Sequence, residues 1–211
     1  MSKLRLLVTL TMATTAIWSV AATASASSGS STKCTGTLDS GKYRKLTVPA
    51  GATCDGSDAR IRVRRGVSVA PGATFVLGTE DLASANTGKI RGGVEANEPA
   101  SLQIHFAHVN GGLVVRGGSG YFSAIEDNTI RGGAKVKGYS GVWLGFIRNR
   151  VHGNVTLARN VMDDPDANEY VTNTIFGDLV CHRNSPAPQV GDSQGDANDV
   201  SGRKIGQCAG L

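Results

Sequence analysis

Ile130-Arg131-Gly132-Gly133-Ala134-Lys135-Val136 is one copy of a phrase that recurs along most of this chain. It reads aliphatic, x, Gly, x, aliphatic, x, small or aliphatic. Other copies are Ile90-Arg91-Gly92-Gly93-Val94-Glu95-Ala96 and Val109-Asn110-Gly111-Gly112-Leu113-Val114-Val115. Two more begin at Val151 and Ile175, and a decayed one closes the chain at Val200-Ser201-Gly202. The register glycines fall at 92, 111, 132, 153, 177 and 202, in steps of 19, 21, 21, 24 and 25. A fixed period near 21 with strand-type alternation inside it is the signature of a solenoid. The unit is too short for a strand plus a long helix, so short strands joined by turns are expected.

The same period reaches upstream. Leu46-Thr47-Val48-Pro49-Ala50-Gly51 aligns with Val67-Ser68-Val69-Ala70-Pro71-Gly72 at an offset of 21, with Arg44 and Arg65 in the glycine slot. That gives about eight turns. Strand side chains alternate, so positions 1, 5 and 7 of the phrase are expected inside, with glycine at position 3 where a side chain would crowd the interior. Parallel strands stacked about 4.8 Å apart would make a rod roughly 35–40 Å long. Asn128, Asn149, Asn173 and Asn198 each precede a register glycine by four residues. Asparagine tolerates left-handed turns, and a stacked column at one corner would bond from turn to turn.

Outside the repeat, residues 1–26 read as a cleaved export signal. Lys3 and Arg5 precede an apolar run from Leu6 to Ala22, and Ala24-Ser25-Ala26 is a small-residue cleavage pattern. The expected mature chain, 27–211, is one secreted domain with no membrane attachment. The whole chain carries 22 Lys and Arg against 17 Asp and Glu; removing Lys3 and Arg5 leaves a net charge of +3. This is too mild for a nucleic-acid binder, which is expected to show a dense basic face. Four cysteines in an exported chain point to disulfides. Of three possible pairings we favour Cys34–Cys54 and Cys181–Cys208, one staple at each end of the array. A metal site is the alternative, but no CxxC is present and the four histidines show no ligand spacing around the cysteines.

The in-phase Val-x-Gly-x-Val units and the asparagine column resemble right-handed parallel β-helix proteins. The ending Gly177-Asp178-Leu179-Val180-Cys181-His182-Arg183-Asn184-Ser185-Pro186, with Gly206-Gln207-Cys208, is similar to small, uncharacterised exported β-helix proteins of actinomycete bacteria. That resemblance spans nearly the whole mature chain and implies no activity. A weaker similarity runs to bactofilin-type cytoskeletal proteins, which polymerise through their ends; the export signal and terminal cysteines depart from them. Pectate-lyase-like solenoids share the architecture and imply polysaccharide lyase or hydrolase chemistry.

The acids are the candidates for such chemistry. Asp164-x-Asp166-x-Asn168 resembles the opening of a calcium loop, but Pro165 intrudes and Ile175 stands where a glutamate is required. Asp163-Asp164 resembles the adjacent aspartates of polygalacturonases, without their Gly-His-Gly and Arg-x-Lys companions. With Glu169 these form the densest acidic stretch; Asp192, Asp196 and Asp199 form a second. No catalytic or cofactor residue is assigned. The outward second position of the phrase holds Arg64, Arg91, Asn110, Arg131 and His152 on successive turns, near Lys135 and Lys137. Such a stripe would suit an anionic polysaccharide or cell-wall polymer. Phe122 and Trp143, 21 apart, share a column and are expected as stacked core aromatics. The expected protein is a monomeric, non-enzymatic, polymer-binding β-helix; a lyase or hydrolase, and an end-to-end filament, are the alternatives.

Overall fold

The computed structural model describes residues 31–81, 87–191 and 195–211. The expected export signal, residues 82–86 and Asp192 lie outside the described residues.

Each copy of the phrase turns a corner. Thr129–Ile130 is a strand of one sheet, Gly132 and Gly133 make the bend, and Ala134–Lys137 is a strand of the next. Three such strands per turn build three sheets. All pairing between named strands is parallel, and successive turns stack into a β-helix of about eight turns. The first sheet runs over nine strands, from Ser31–Lys33 to Lys204–Gly206. The second runs from Gly36–Thr37 to Val161–Met162, with Asn168–Val171 also pairing on Ser140–Ile147. The third runs from Gly41–Tyr43 to Asp199–Val200.

Register is maintained from turn to turn, so like side chains stack on like. In the first sheet Val67, Val94, Leu113, Ala134, Val155 and Leu179 form one inward column. In the third, Val63, Ile90, Val109, Ile130, Val151 and Ile175 form another. Both columns are buried. Positions 1, 5 and 7 of the phrase thus face the core, as alternation requires.

The register glycine is needed for a different reason from the one expected. A Cβ on Gly132 would lie 2.7 Å from the backbone nitrogen of Gly112, and one on Gly153 2.8 Å from that of Gly133. The crowding comes from the backbone of the preceding turn and not from the interior. The expected offset of 21 holds at the first corner, where Leu46 pairs with Val67 and Arg65 donates its amide to the Arg44 carbonyl; the third-sheet strand before it runs at an offset of 20, with Tyr43 on Val63, so Arg64 is the extra residue of that corner.

The asparagine column is present and buried. The Nδ2 of Asn128, Asn149 and Asn173 donates to Oδ1 of the next asparagine at 3.1, 3.1 and 2.8 Å. The same Oδ1 atoms accept the backbone amides of the residues they cap. The left-handed residue is the one before the asparagine: Asp127, Arg148 and Thr172 have φ of 57°, 54° and 57°. The asparagine therefore closes the corner while its predecessor makes the bend. A second ladder, unread in the sequence, runs through Asn160, Asn184 and Gln207 at the corner between the first and second sheets.

Both expected disulfides form, Cys34–Cys54 and Cys181–Cys208, and tie the two ends of the stack. The acidic insertion Asp163–Asp166 leaves and rejoins the second sheet, so it does not fold over the arginine stripe of the third.

Two stability predictions follow from this packing. Replacing Asn149 with Ala strands the buried amide of Asn128 and the carbonyl of Ile125, and should cost about 2–4 kcal/mol in urea unfolding; a loss under 0.5 kcal/mol would remove the ladder as a structural element. Replacing Cys181 and Cys208 together with Ser opens a 27-residue loop and should cost about 3.5 kcal/mol. Hydrogen exchange should show that loss concentrated in the last turns.

Candidate functional site

The outward positions of the third sheet carry two parallel columns of cations. One step after each inward aliphatic lie Arg64, Arg91, Asn110, Arg131 and His152, the expected stripe. Two residues earlier along the same strands lie Lys42, Arg62, Lys89, His108, Thr129 and Arg150. This second column is as legible in the register as the first, since it is the position before the phrase. It lies outside the seven-residue phrase, so the phrase alone does not show it. Arg64, Arg91, Arg131 and His152 are exposed, as are Lys42, Arg62, Lys89, His108 and Arg150.

No acid occupies an outward position on these strands until Asp199, in the last of them. Among the described residues, Arg62, Arg64, Lys89, Arg91 and Arg131 take part in no ion pair. Unit charges 4–5 Å apart repel by roughly 1 kcal/mol even in bulk water, and the register stacks Arg64 on Arg91 and Lys42, Arg62 and Lys89 in succession, so like charges gather on this face. Lys42, Arg60, Arg62, Lys89 and His108 line an open groove of about 550 Å³ on this face. Towards the far end the columns meet an aromatic. Arg150 lies 4.6 Å over the Phe176 ring, and His152 stacks on that ring at 4.9 Å. Phe176 remains 41% exposed. Lys135 and Lys137 are not part of this face; their strand belongs to the first sheet.

The acids do not assemble as the sequence suggested. Asp163, Asp164 and Asp166 sit in an exposed turn, where Asp164 Oδ1 accepts the amide of Asp166. Asn168 is buried, with its amide nitrogen donating to the Pro186 carbonyl and its Oδ1 accepting the Tyr170 hydroxyl. The three calcium candidates therefore do not converge. Asp196 donates its amide to Thr172 at another turn. Among the described residues no group of three His, Cys, Asp or Glu side chains is placed to hold a metal ion.

A second site lies on the outer side of the second sheet, and only fragments of it are legible in the sequence. Phe122 and Trp143 do share a column and stack, with centroids 4.6 Å apart. Their neighbours Ser123 and Leu144 are the buried ones, so the pair points outward and is only part-buried, against the expectation of core. Tyr139, Phe146 and Tyr170 supply the aromatic core instead. Glu126 and Glu169 flank this pair, both buried despite lying on outward positions. Trp143 Nε1 donates to Glu169 Oε1 at 2.8 Å. Arg148 donates to Glu126 Oε2 at 3.2 Å and to both oxygens of Asp127. His105 pairs with Glu126 across the ladder, its Nδ1 buried without a hydrogen-bond partner 3.8 Å from Glu126 Oε2.

Burial pushes Glu126 up to about 7; Glu80, Asp127 and Glu169 reinforce this and Arg148 opposes it. Burial pushes His105 down to about 4, against the pull of Asp127 and with the push of Arg148. Both groups are thus neutral over much of the mildly acid range.

No family model, curated protein or solved structure matches this chain. Its function is therefore read from these two sites.

The Glu126 shift has a definite sign. A carboxyl raised on folding is protonated in the folded chain and ionised in the unfolded chain between its two pKa values, so its contribution falls as pH rises. Glu126→Gln should gain melting temperature relative to the parent as pH climbs from 4.5 to 7.5, with the gap flat below that range. A gap independent of pH would show that Glu126 is not the group titrating.

Proposed function

We propose that this protein is an exported, non-enzymatic β-helix that holds an anionic polysaccharide or cell-wall polymer along its third sheet. The observation that carries this reading is the double outward column, rich in Arg, Lys and His and without an acid, over five successive turns. A polymer with charges repeated along its length relieves the repulsion within each column. It also gains from many weak contacts held in one register. A strand surface with evenly stacked charges suits an extended chain better than a compact ligand. The Phe176 ring at the end of the columns offers a flat apolar contact beside the cations.

Two disulfides are compatible with an extracellular protein. No described helix is long and apolar enough to cross a membrane. The export signal at 1–26 completes this reading from the sequence.

The test is retention on immobilised polygalacturonate and on wall material bearing anionic polymer, at rising salt. Affinity should fall steeply with salt, as expected for multiple released counterions. Replacing Arg64, Arg91 and Arg131 together with Gln should weaken retention at least tenfold and flatten the salt slope. Replacing Lys135 and Lys137 with Gln, on the first sheet, should leave retention near that of the parent. Equal effects of the two sets, or none from the arginine set, would remove the third sheet from the account.

A further inference from the structure

The outer side of the second sheet holds a pocket that a polyanion site does not explain. Its volume is about 260 Å³, and Phe122, Trp143, Ile147, Glu126 and Arg148 are among its lining residues. Phe122 and Trp143 stack with their planes 9° apart, so the pair makes one continuous aromatic wall that is only part-buried. Two features hold the indole in place. A Cβ on Gly145 would collide with the Trp143 ring, so the absence of a side chain there gives the ring its seat. Glu169 Oε1 accepts the indole N–H at 2.8 Å.

Glu126 brings to this pocket an oxygen with no bond of its own. The residue is 2% exposed. Arg148 donates to its Oε2 at 3.2 Å, but among the described residues no hydrogen bond reaches its Oε1. That oxygen lies beside the seat of the indole, 2.9 Å from the position a Gly145 Cβ would take. A buried polar atom is costly unless a partner answers it. Charge narrows what that partner can be. Arg148, the one cation among the described lining residues, already donates to Glu126 and to both oxygens of Asp127, so an incoming anion finds it engaged. A cation would need a counter-charge that Glu126 does not supply in the mildly acid range, where burial keeps it protonated. A hydroxyl meets neither difficulty. It donates to an ionised carboxylate, and it donates to or accepts from a protonated one.

We propose that this pocket binds an uncharged sugar residue, with its ring against the Phe122–Trp143 wall and one hydroxyl hydrogen-bonded to Glu126 Oε1. The volume suits a single ring. Aromatic walls with a few placed polar groups are the general make-up of a small-ligand site. Here the aromatic pair supplies the contact area, and the Glu126 carboxyl sets the orientation of the ring. The ligand carries no charge and the residues are not those of the third sheet. The site therefore goes beyond the polyanion reading and does not depend on it.

Trp143 reports directly on occupancy. The chain has two tryptophans, Trp18 and Trp143, so a Trp18→Phe background leaves Trp143 as the only emitter. The probes are neutral hexasaccharides of glucose, mannose, galactose and N-acetylglucosamine, at pH 6.0. At least one should shift or quench the emission saturably. Raising the salt should change that affinity by less than about threefold, since an uncharged ligand releases no counterions. Glu126→Gln keeps a donor and an acceptor without a charge and should stay within about threefold of the parent. Glu126→Leu and Phe122→Ala should each lose at least tenfold, the second standing in if the first fails to fold, with far-ultraviolet circular dichroism as the check. The Arg64, Arg91 and Arg131 triple variant should respond like the parent, so failure of polymer retention and failure of this pocket read separately. Equal losses in Glu126→Gln and Glu126→Leu would overturn the uncharged-ligand assignment, as would tighter binding of glucosamine oligomers than of their acetylated counterparts. An equal response to sorbitol, which has hydroxyls and no ring, would overturn the ring assignment. No response to any of the hexasaccharides would overturn the pocket as a sugar site.

Discussion

Every part of this molecule depends on one constraint: a turn must lie on the previous turn in register, with its backbone hydrogen bonds running parallel to the stack. Parallel pairing fixes the distance between turns and puts each residue directly above its counterpart. Valine then meets valine, asparagine meets asparagine and arginine meets arginine. The first of these encounters is favourable through burial, the second through hydrogen bonding, and the third is unfavourable. The fold tolerates that cost on one sheet while the interior columns and the two amide ladders hold the stack together.

That constraint explains what the amino-acid pattern revealed and what it hid. The inward columns repeat chemically, because the same space recurs at every turn; Val94, Leu113 and Val155 are interchangeable occupants of one position. The disulfide pairing was legible because each bridge joins neighbouring turns. The asparagine corner was legible because four copies fell in phase. The second ladder was not, since Asn160, Asn184 and Gln207 include a change of residue and span the two lengthened turns. The outward basic columns were half legible: the register defines both, but only one coincides with the phrase.

The pocket on the second sheet was the least legible feature, and for a physical reason. It breaks the repeat. Glu126 sits where the next two turns carry Ile147 and Val171, and Glu169 lies in a column whose preceding turns carry Ala124 and Gly145. A site made of diagonal neighbours two turns apart has no local signature, because each of its residues looks like an isolated departure from the pattern. Glu169 was drawn by sequence proximity into the acidic turn at 163–166, although strand pairing places its side chain elsewhere. The stacked aromatics were found by their spacing, yet spacing alone does not say which face they occupy.

The ladders carry a consequence for how such a chain can change size. Because all three sheets and both amide columns advance together, adding or removing one complete turn preserves every contact type at the new junction. Removing a fraction of a turn would put arginine inside and valine outside along everything that follows. Length in this architecture is therefore quantised: the molecule can grow or shrink by whole turns, each bringing a further step of its outer face, and only the loops between strands are free to vary by single residues.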